Sequence, residues 1–390
     1  MRAATSVLAA LTLACAAPAV AQNSSGAFIV RLGRDTTAVE RYARHGTHLE
    51  GDIVQRSPRT MLRHFVVEFS PQGTFERAEV TLLHPDNPAA APLQRLIATR
   101  AGDSVLLEAH VDTGVVRRAV AVPQDAVPFV GPSSASWVGF QLLAERYRRS
   151  RATDSTGVPV YFVGAPRLVT MSVMPLSKDS LWMFDGNDVF HVRADRDGRL
   201  RGAAPVSGTQ QFSMERVDDA NVEALARAFA ARDQQGQGLG VLSTRDTVRA
   251  GVAGATLWID YGRPAKRGRV IFGTTVVPWG EVWRTGANAA TQFRTDRDLE
   301  IQGVTIPAGT YTLWTIPEAQ GSWKLLFNRQ TGQWGTEHDP ARDLAQLDLR
   351  TSTLPSVVER FTIGVTPQTG GGTLTLDWDT TRASLTFTVR

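Results

Sequence analysis

The residues best suited to bind a ligand or to react with one lie close together between Tyr261 and Phe293. This stretch combines two tryptophans, a glutamate, several arginines and an asparagine with glycines and prolines. Aromatic side chains are usually buried, whereas charged and amide side chains are buried only when they are paired. We therefore predict a partly buried polar and aromatic cluster, which extends to three residues further along the chain. The predicted cluster comprises Trp279, Glu281, Trp283, Arg284, Thr285, Asn288, Thr291, Trp314, Trp334 and His338.

A short segment inside this stretch is predicted to form one helical turn. Proline favours the first position of a helix and glycine follows its end, so Pro278 would begin the turn and Gly286 would end it. Glu281 and Arg284 are three residues apart and would pair on one side, while Trp283 points inward. The simpler interpretation is a buried polar network that holds a long loop on its sheet. The alternative is a cleft in which tryptophans stack on a sugar or a small acid and the arginine orients it.

Other catalytic patterns are scarce in this sequence. The seven histidines form no HExxH motif, and there is no G-x-S-x-G nucleophile motif. We therefore predict no metal site and no cofactor. One acid and base combination remains, in which Glu281 or Glu337 acts with His338 in a hydrolase. A charged surface turn before Pro340 is the simpler explanation of the latter two residues.

The first part of the chain, residues 26–232, is predicted to be an antiparallel β domain. Short runs of alternating apolar and polar residues follow one another, separated by turn residues. This pattern is typical of a meander that curls into a half-barrel, and helices near 134–149 and 220–232 would cover it. If the interior of the curled sheet were empty, the domain would suit a carrier of hydrophobic ligands.

The second part, residues 243–390, is predicted to be a β-sandwich that resembles a jelly roll. Short strands follow one another without a helix between them. The clearest strand is the last one, because apolar and polar residues alternate from Ala383 to Val389. A segment rich in glutamine and glycine, 233–242, is predicted to link the two domains.

Length and composition indicate a globular, exported protein of two domains. The chain has 390 residues, of which 42% are hydrophobic and 21% are charged. Residues 1–21 have a basic start, an apolar run and a small-residue cleavage site, which together predict a secretory signal and a periplasmic or secreted product. A lipid anchor at Cys15 is not favoured, and no later run is long enough to span a membrane. The arginines are scattered along the chain, which argues against nucleic-acid binding.

Four motifs in the second part carry a family resemblance. They read YGRPAKRGRVIFG, VPWGEVWRTGANAAT, IPAGTYTLWTIP and LTLDWDTTRASLTFTV, in that order. Together they resemble the bacterial family of unknown function DUF2911 across about residues 250–390. The resemblance implies an exported bacterial protein and a domain boundary, but no reaction. Ala289 stands where the family pattern often has glutamate, so a mechanism that needs an acid at that position does not carry over. The first domain resembles no family that we recognise.

Taken together, these features predict an exported protein whose second domain is a non-enzymatic binding or scaffolding module. Its partner would be a carbohydrate, a cell-envelope fragment or another protein, bound through the loop from 279 to 291. Two alternatives stay open. One is a hydrolase that acts on cell-envelope or carbohydrate material, which requires Glu281 to lie near a second titratable group in an open pocket. The other is a hydrophobic-ligand carrier, which requires an empty interior in the first domain.

Overall fold

The computed structural model describes residues 23–111 and 113–390, and β-strands dominate these ranges. The predicted export signal, residues 1–21 with Cys15, lies outside the described residues. Within the described ranges the strands form two sheets, accompanied by two α-helices. No described helix is long and apolar enough to cross a membrane. The prediction of a mostly β protein with one or two helices is confirmed.

The first sheet contains fifteen strands. They are β1 (Ser24–Leu32), β2 (Asp35–His45), β3 (His48–Gln55), β4 (Met61–Phe69), β5 (Phe75–Leu83), β6 (Gln94–Ala101), β7 (Ser104–Val111), β8 (Gly114–Ala121), β9 (Val127–Phe129), β10 (Thr156–Phe162), β11 (Val169–Ser177), β12 (Ser180–Phe184), β13 (Val189–Ala194), β14 (Leu200–Ser207) and β15 (Ser213–Val217). Their order is β8-β7-β6-β5-β4-β3-β2-β1-β15-β14-β13-β12-β11-β10-β9, and only β9 and β10 are parallel neighbours. Strands β1 to β8 follow one another from the middle of the sheet to one edge. Strand β9 lies at the opposite edge, and β10 to β15 lead back to the middle, where β15 pairs with β1.

The first sheet curls around helix α1 (Val138–Ser150), which fills its interior. Trp137 and Phe140 are fully buried, and their rings contact Phe190 on β13 and Phe129 on β9 at centroid distances between 5.2 and 6.0 Å. Rings of this size bury large apolar areas and so hold the helix against strands β9 and β13. A carrier of hydrophobic ligands would need this space to be empty. The helix occupies it, so that alternative loses its structural basis.

Helix α1 begins with a cap that comes from a distant strand. Glu40 on β2 is fully buried, and its carboxylate accepts hydrogen bonds from the backbone N–H groups of Trp137 (2.5 Å) and Val138 (2.8 Å) and from the hydroxyl of Ser136 (2.9 Å). The first N–H groups of a helix have no partner inside the helix, and negative charge there suits the helix dipole. Burial nevertheless raises the pKa of Glu40 to about 7. The helix predicted near 134–149 is present, but it begins four residues later because this buried carboxylate, and no side chain at its own N-cap position, caps it.

Two further polar pairs join β2 to α1, at the second and fourth residues after Glu40 on the strand. The hydroxyl of Tyr42 donates to Oε1 of Gln141 at 3.1 Å, and Arg44 Nη1 lies 3.2 Å from Oε2 of Glu145. Every second residue of a strand advances by about 6.8 Å, and every fourth residue of a helix advances by about 6.0 Å. The helix therefore runs along β2, and each polar side chain on the strand meets its partner one helical turn further on.

Helix α2 (Val222–Gln234) covers the opposite face of the first sheet. Its buried residues pack on Val39, Val54 and Leu62, which point away from α1. Asn221 caps the helix by accepting a hydrogen bond from the backbone of Ala224 at 2.9 Å. The helix predicted at 220–232 is present, and both of its ends lie two residues later in the chain.

The second sheet contains nine strands, two of which are long and bent. They are β16 (Ser243–Val252), β17 (Ala255–Pro264), β18 (Thr291–Thr295), β19 (Leu299–Ile301), β20 (Val304–Ile306), β21 (Gly309–Ile316), β22 (Trp323–Asn328), β23 (Asp343–Gln368) and β24 (Gly371–Val389). The order is β16-β17-β18-β21-β22-β23-β24-β19-β20. The pairing of β23 with β24 shifts register twice between Thr353 and Thr362. These irregularities bend the long hairpin so that it continues into a second layer.

The two layers enclose one apolar core. Phe293 on β18 and Leu325 on β22 contribute to it from one layer, and Leu376 and Phe387 on β24 contribute from the other. Along β24 the residues Ala383, Leu385 and Phe387 are buried, as the alternating sequence predicts. We refer below to residues 23–234 as the N-terminal unit and to residues 243–390 as the C-terminal unit.

Direct contacts join the two units. Arg267 is 7% exposed, and its Nη1 lies 2.6 Å from Oδ2 of Asp35. The backbone carbonyl of Arg267 also accepts a hydrogen bond from the N–H of Arg34 at 3.0 Å. An ion pair that is mostly shielded from water resists screening better than a surface pair. These contacts place the turn between β1 and β2 against the loop that follows β17.

Candidate functional site

The loop between β17 and β18 does not form the predicted helical turn. Trp283 instead pairs with Thr315 on β21 through two backbone hydrogen bonds of 2.7 and 2.9 Å. The pairing of β18 with β21 stops at Leu313, so the backbone groups of Thr315 need another partner. Trp283 supplies that partner in an extended conformation. The helical prediction is wrong because this open sheet edge outweighs the local preferences of Pro278 and Gly286.

Buried threonines hold the same loop in position. Oγ1 of Thr285 lies 3.1 Å from Oγ1 of Thr315, and Thr291 Oγ1 donates to the carbonyl of Thr285 at 2.7 Å. All three side chains are fully buried. Gly262 lets the loop lie directly on β17, because a Cβ at that position would be 2.0 Å from the carbonyl oxygen of Ala287. These contacts hold the loop in one position, although it has no regular secondary structure.

Trp283 points inward, as the sequence predicts. Its ring stacks on Trp378 of β24 at 5.9 Å and meets the edge of Phe361 at 5.1 Å. The side chain is 5% exposed and belongs to the core of the C-terminal unit. This packing anchors the loop and sets the position of the next residue, Arg284.

Arg284 is directed across the boundary between the two units. Its Nε donates to the carbonyl of Gly335 at 2.9 Å, and its Nη2 donates to the carbonyl of Gly208 in the N-terminal unit at 3.1 Å. Burial lowers the pKa of Arg284 to about 10. The predicted pair with Glu281 does not form, because Glu281 is exposed and makes no hydrogen bond or ion pair with any described residue. The acceptors of this guanidinium group are therefore neutral carbonyls.

A buried carboxylate shapes the turn that Arg284 contacts. Asp188 is fully buried and accepts hydrogen bonds from the backbone N–H groups of Thr209 and Gln210, and from the side-chain amide of Gln210 at 2.9 Å. These bonds hold the turn so that the carbonyl of Gly208 faces the arginine. The charge of Asp188 partly opposes the lowering of the pKa of Arg284, although the two side chains form no ion pair in the described structure.

A cleft of about 290 Å³ lies where Arg284 crosses between the units. Both units contribute to its walls, and so do the edges of the stacked tryptophans. None of the described residues that line the cleft is an aspartate, a glutamate or a histidine. The lining residues most relevant to ligand binding are Gln210, Gln211, Arg269, Trp283, Arg284 and Trp378.

Arg269 brings a second guanidinium group to the cleft. Its Nε donates to the carbonyl of Lys266 at 3.0 Å, and its Nη2 donates to the carbonyl of Ala265 at 2.6 Å. Burial lowers the pKa of Arg269 to about 10, and the nearby positive charge of Arg267 adds to this effect. Arg269, like Arg284, makes no ion pair with a described carboxylate. Two partly desolvated cations thus line one cleft without an anion in contact with either.

Amide side chains complete the polar surface of the cleft. Oε1 of Gln210 and Nε2 of Gln211 are buried and have no hydrogen-bond partner among the described residues. The other amide atom of Gln211 accepts a hydrogen bond from Thr275 at 2.9 Å, which fixes the side chain between the units. Asn288 also lines the cleft and is exposed. Its side-chain amide makes no hydrogen bond with a described residue. The cleft therefore offers both donors and acceptors to a polar ligand.

Trp314 and His338 lie elsewhere, on the outer face of the same sheet. Trp314 is 1% exposed and packs with Ala290 and Leu326, so it cannot stack on a ligand. The ring of His338 contacts Trp314 at 5.0 Å, and its Nε2 lies 3.0 Å from Oδ1 of Asp343. Neither residue lines the cleft. The histidine and its aspartate anchor the segment after β22.

The two remaining tryptophans of the predicted cluster are partly exposed and lie outside the cleft. Trp279 is 40% exposed and stacks on Phe272 at 5.9 Å. Trp334 is 38% exposed and pairs through its backbone with Ala289, and its N–H donates to Glu337 at 3.2 Å. Of the ten predicted cluster residues, the structure brings only Trp283, Arg284 and Asn288 to the cleft, while Thr285 and Thr291 support the loop behind it.

The other residues of the cleft are only weakly marked in the sequence. Arg269 lies within the stretch from Tyr261 to Phe293, but its spacing from Arg284 does not indicate a common site. Gln210 and Gln211 come from the other unit, 58 positions or more before Arg269, and no local motif marks them. The cleft arises from the docking of two separate folds, so a search within one unit could not find it.

Solved structures that are similar to this chain include two proteins from families of unknown function. One is a DUF1089 family protein from Pseudomonas aeruginosa, which is 8% identical, covers 43% of this chain and 90% of its own, and has a TM-score of 0.30. The other is a β-barrel-like DUF1849 protein from Brucella abortus, which is 10% identical, covers 51% of this chain and 96% of its own, and has a TM-score of 0.33.

A comparison with curated proteins gives no match. No family model recognises the N-terminal unit. The C-terminal unit, in contrast, is recognised by a family model. Residues 243–387 match the family described as protein of unknown function (DUF2911). The resemblance seen in the sequence is thus confirmed by a match of residues 243–387 to the DUF2911 family model.

Proposed function

We propose that this protein is an exported, non-enzymatic binding protein that holds a small acidic ligand in the cleft between its two units. The ligand would be a polar molecule that carries a carboxylate, such as an acidic sugar or a fragment of the cell envelope. Export rests on the signal predicted at residues 1–21. The binding role rests on the cleft.

The observation that carries the proposal is the pair of half-buried guanidinium groups in a cleft whose described lining has no acidic residues. Arg269 and Arg284 are hydrogen-bonded only to backbone carbonyls among the described residues, and burial lowers the pKa of both. Burying a cation is costly unless an anion or a full set of acceptors compensates for it. A carboxylate in the cleft would supply that charge and would accept directional hydrogen bonds from arginine.

The size and the other walls of the cleft favour a small polar molecule. Its volume of about 290 Å³ is at the lower end of the range for ligand sites. Gln210, Gln211 and Asn288 present amide groups that suit hydroxyl groups, and the edges of Trp283 and Trp378 provide an apolar wall. These features are typical of sites that bind sugars and small acids.

The hydrolase alternative finds no support in this cleft. General acid and base catalysis requires a titratable side chain near the reacting bond, and the described lining offers only arginines. Glu281 is exposed and does not line the cleft. His338 pairs with Asp343 against Trp314 on another face of the sheet. Neither Glu281 nor His338 therefore reaches the cleft.

Binding of acidic sugars and their neutral counterparts would test the proposal. Isothermal titration calorimetry would compare glucuronate with glucose, and N-acetylmuramate with N-acetylglucosamine. We expect at least one acid to bind at least tenfold more tightly than its neutral counterpart, and Arg269→Gln to remove that preference. The matched control is Arg294→Gln, which changes an exposed arginine on β18 and should leave binding unchanged.

Native mass spectrometry of the purified protein would test the same site without a chosen probe. We expect a small acidic molecule to remain bound to the wild type and to be absent from Arg269→Gln. The proposal fails if no acid binds more tightly than its neutral counterpart and no acidic molecule is retained. It also fails if Arg294→Gln reduces binding as much as Arg269→Gln does.

A further inference from the structure

A second polar region lies far from the cleft, at the end of the first sheet where α1 terminates. Two adjoining cavities of about 320 and 430 Å³ are found there, and both are lined by Arg44, Gln72, Gly73 and Arg149. The turns between β4 and β5 and between β13 and β14 form the walls around the last turn of α1. The mouth of a curled sheet is a common position for ligand sites.

Positive charge dominates this region, which we call the basic groove. Six arginines line its two cavities, against three carboxylates. Glu145 lies 3.2 Å from Arg44, Asp125 lies 2.7 Å from Arg146 and Asp197 lies 3.9 Å from Arg196, so all three carboxylates are already paired. The residues that line the groove therefore include three more arginines than carboxylates. Its six arginines are Arg44, Arg146, Arg148, Arg149, Arg196 and Arg199.

Two neighbouring arginines retain donors for a ligand. Nε of Arg148 is buried and has no hydrogen-bond partner among the described residues, while its Nη2 donates to the carbonyl of Lys178 at 2.9 Å. Arg149 is exposed and makes no hydrogen bond or close ion pair with the described residues. Both side chains face a groove that also presents the hydroxyl groups of Thr47 and Ser70.

The dipole of α1 accounts for only part of this charge. Basic residues in the last turn of a helix offset its negative end, and Arg148 and Arg149 occupy that turn. Arg196, however, belongs to the turn between β13 and β14, and Arg44 belongs to β2. Gly198 brings that turn onto the helix, because a Cβ there would be 2.4 Å from the backbone nitrogen of Glu145. Three separate elements therefore direct arginines into one groove.

We propose that the basic groove is a binding site for a phosphate group with two negative charges, carried by a small molecule or by a lipid headgroup. The planar guanidinium group matches the oxygen atoms of phosphate in pairs, and hydroxyl and amide groups add further donors. Arg148 and Arg149 form no ion pair with a described carboxylate, and their two positive charges match a dianion better than they match a single carboxylate. The groove lies entirely in the N-terminal unit, so this inference is independent of the ligand proposed for the cleft.

Calorimetry of the purified full chain with pyrophosphate at low ionic strength would test the groove. We expect saturable binding that weakens at least tenfold in the double variant Arg148→Ala/Arg149→Ala. The single variant Arg149→Ala keeps the bond from Arg148 to Lys178, so it should fold normally and should also bind more weakly. The matched control is Arg249→Ala/Arg294→Ala, which removes two exposed arginines that both lie opposite Trp258 in the second sheet.

Vesicle sedimentation distinguishes the two sources of phosphate. Sedimentation with phosphatidic acid vesicles, whose phosphomonoester headgroup can carry two negative charges, but not with phosphatidylcholine vesicles, reversed by pyrophosphate, would assign the site to a lipid headgroup. Binding of pyrophosphate without sedimentation would assign it to a soluble ligand. The inference is overturned if the wild type shows no saturable pyrophosphate binding. It is equally overturned if the control variant loses as much affinity as the variant in the groove.

Discussion

The buried carboxylate that caps α1 makes the stability of the N-terminal unit depend on pH. Burial raises the pKa of Glu40 from 4.5 to about 7 in the folded protein. A carboxyl group with a raised pKa holds its proton more tightly when folded, so its contribution to stability is fully present below pH 4.5 and is lost as the pH rises through 7. Each pKa unit corresponds to about 1.4 kcal/mol, and the difference therefore corresponds to about 3 kcal/mol.

The substitution Glu40→Gln isolates this effect. Glutamine keeps the shape and one acceptor for the backbone N–H groups of Trp137 and Val138, and its amide can donate to the hydroxyl of Ser136. It cannot ionise. We expect the free energy of unfolding of the variant, relative to the wild type, to rise by about 3 kcal/mol between pH 4 and pH 8.

Urea unfolding followed by circular dichroism at several pH values would measure this difference. Hydrogen exchange of peptides from α1 would show that the change arises at the helix. The control is Glu223→Gln, which alters an exposed carboxylate on α2 and should give a difference within about 0.5 kcal/mol at every pH. A difference that stays constant from pH 4 to pH 8 would refute the reasoning. A difference that falls with rising pH would show that the three hydrogen bonds stabilise the charge more than burial disfavours it.

Three further predictions concern the cleft and the contact between the units. Trp283→Ala should lower the free energy of unfolding by about 3–5 kcal/mol, since it removes a buried ring from the core, and denaturant titration would measure the loss. Arg284→Gln should cost about 1–3 kcal/mol in the same assay, because the carbonyls of Gly208 and Gly335 lose their donor. A gain in stability would show instead that removing the buried charge outweighs the lost hydrogen bonds. Arg267→Ala should speed proteolysis near residues 235–242, since it removes the ion pair with Asp35; unchanged cleavage would show that other contacts hold the units together.

The two proposed sites depend on different parts of the structure. The cleft depends on the relative position of the two units, because Gln210 and Gln211 come from one unit and Arg269 and Arg284 from the other. The basic groove depends only on α1 and on the turns at one end of the first sheet. Loosening the contact between the units should therefore affect ligands of the cleft and leave pyrophosphate binding unchanged.

The sequence by itself determined the local structure and the family of the C-terminal unit. Alternating residues such as those from Ala383 to Val389 identify strands, because one face of a strand is buried and the other is wet. The helix predicted near 220–232 agrees with α2 to within two residues at each end. The four motifs of the C-terminal unit predict the match to the DUF2911 family model. These signals are local in the chain, and so periodicity and motif spacing reveal them.

Only the tertiary structure decided which polar groups meet. Glu40 caps a helix that begins 98 positions later, and Arg284 contacts the carbonyl of Gly208 instead of the nearby Glu281. Trp283 leaves its predicted helical turn because an open edge of β21 requires a partner. Such contacts join residues that are distant in sequence, and their energies depend on burial that no local pattern encodes. The ligand cleft is accordingly a property of two docked units, which neither unit possesses alone.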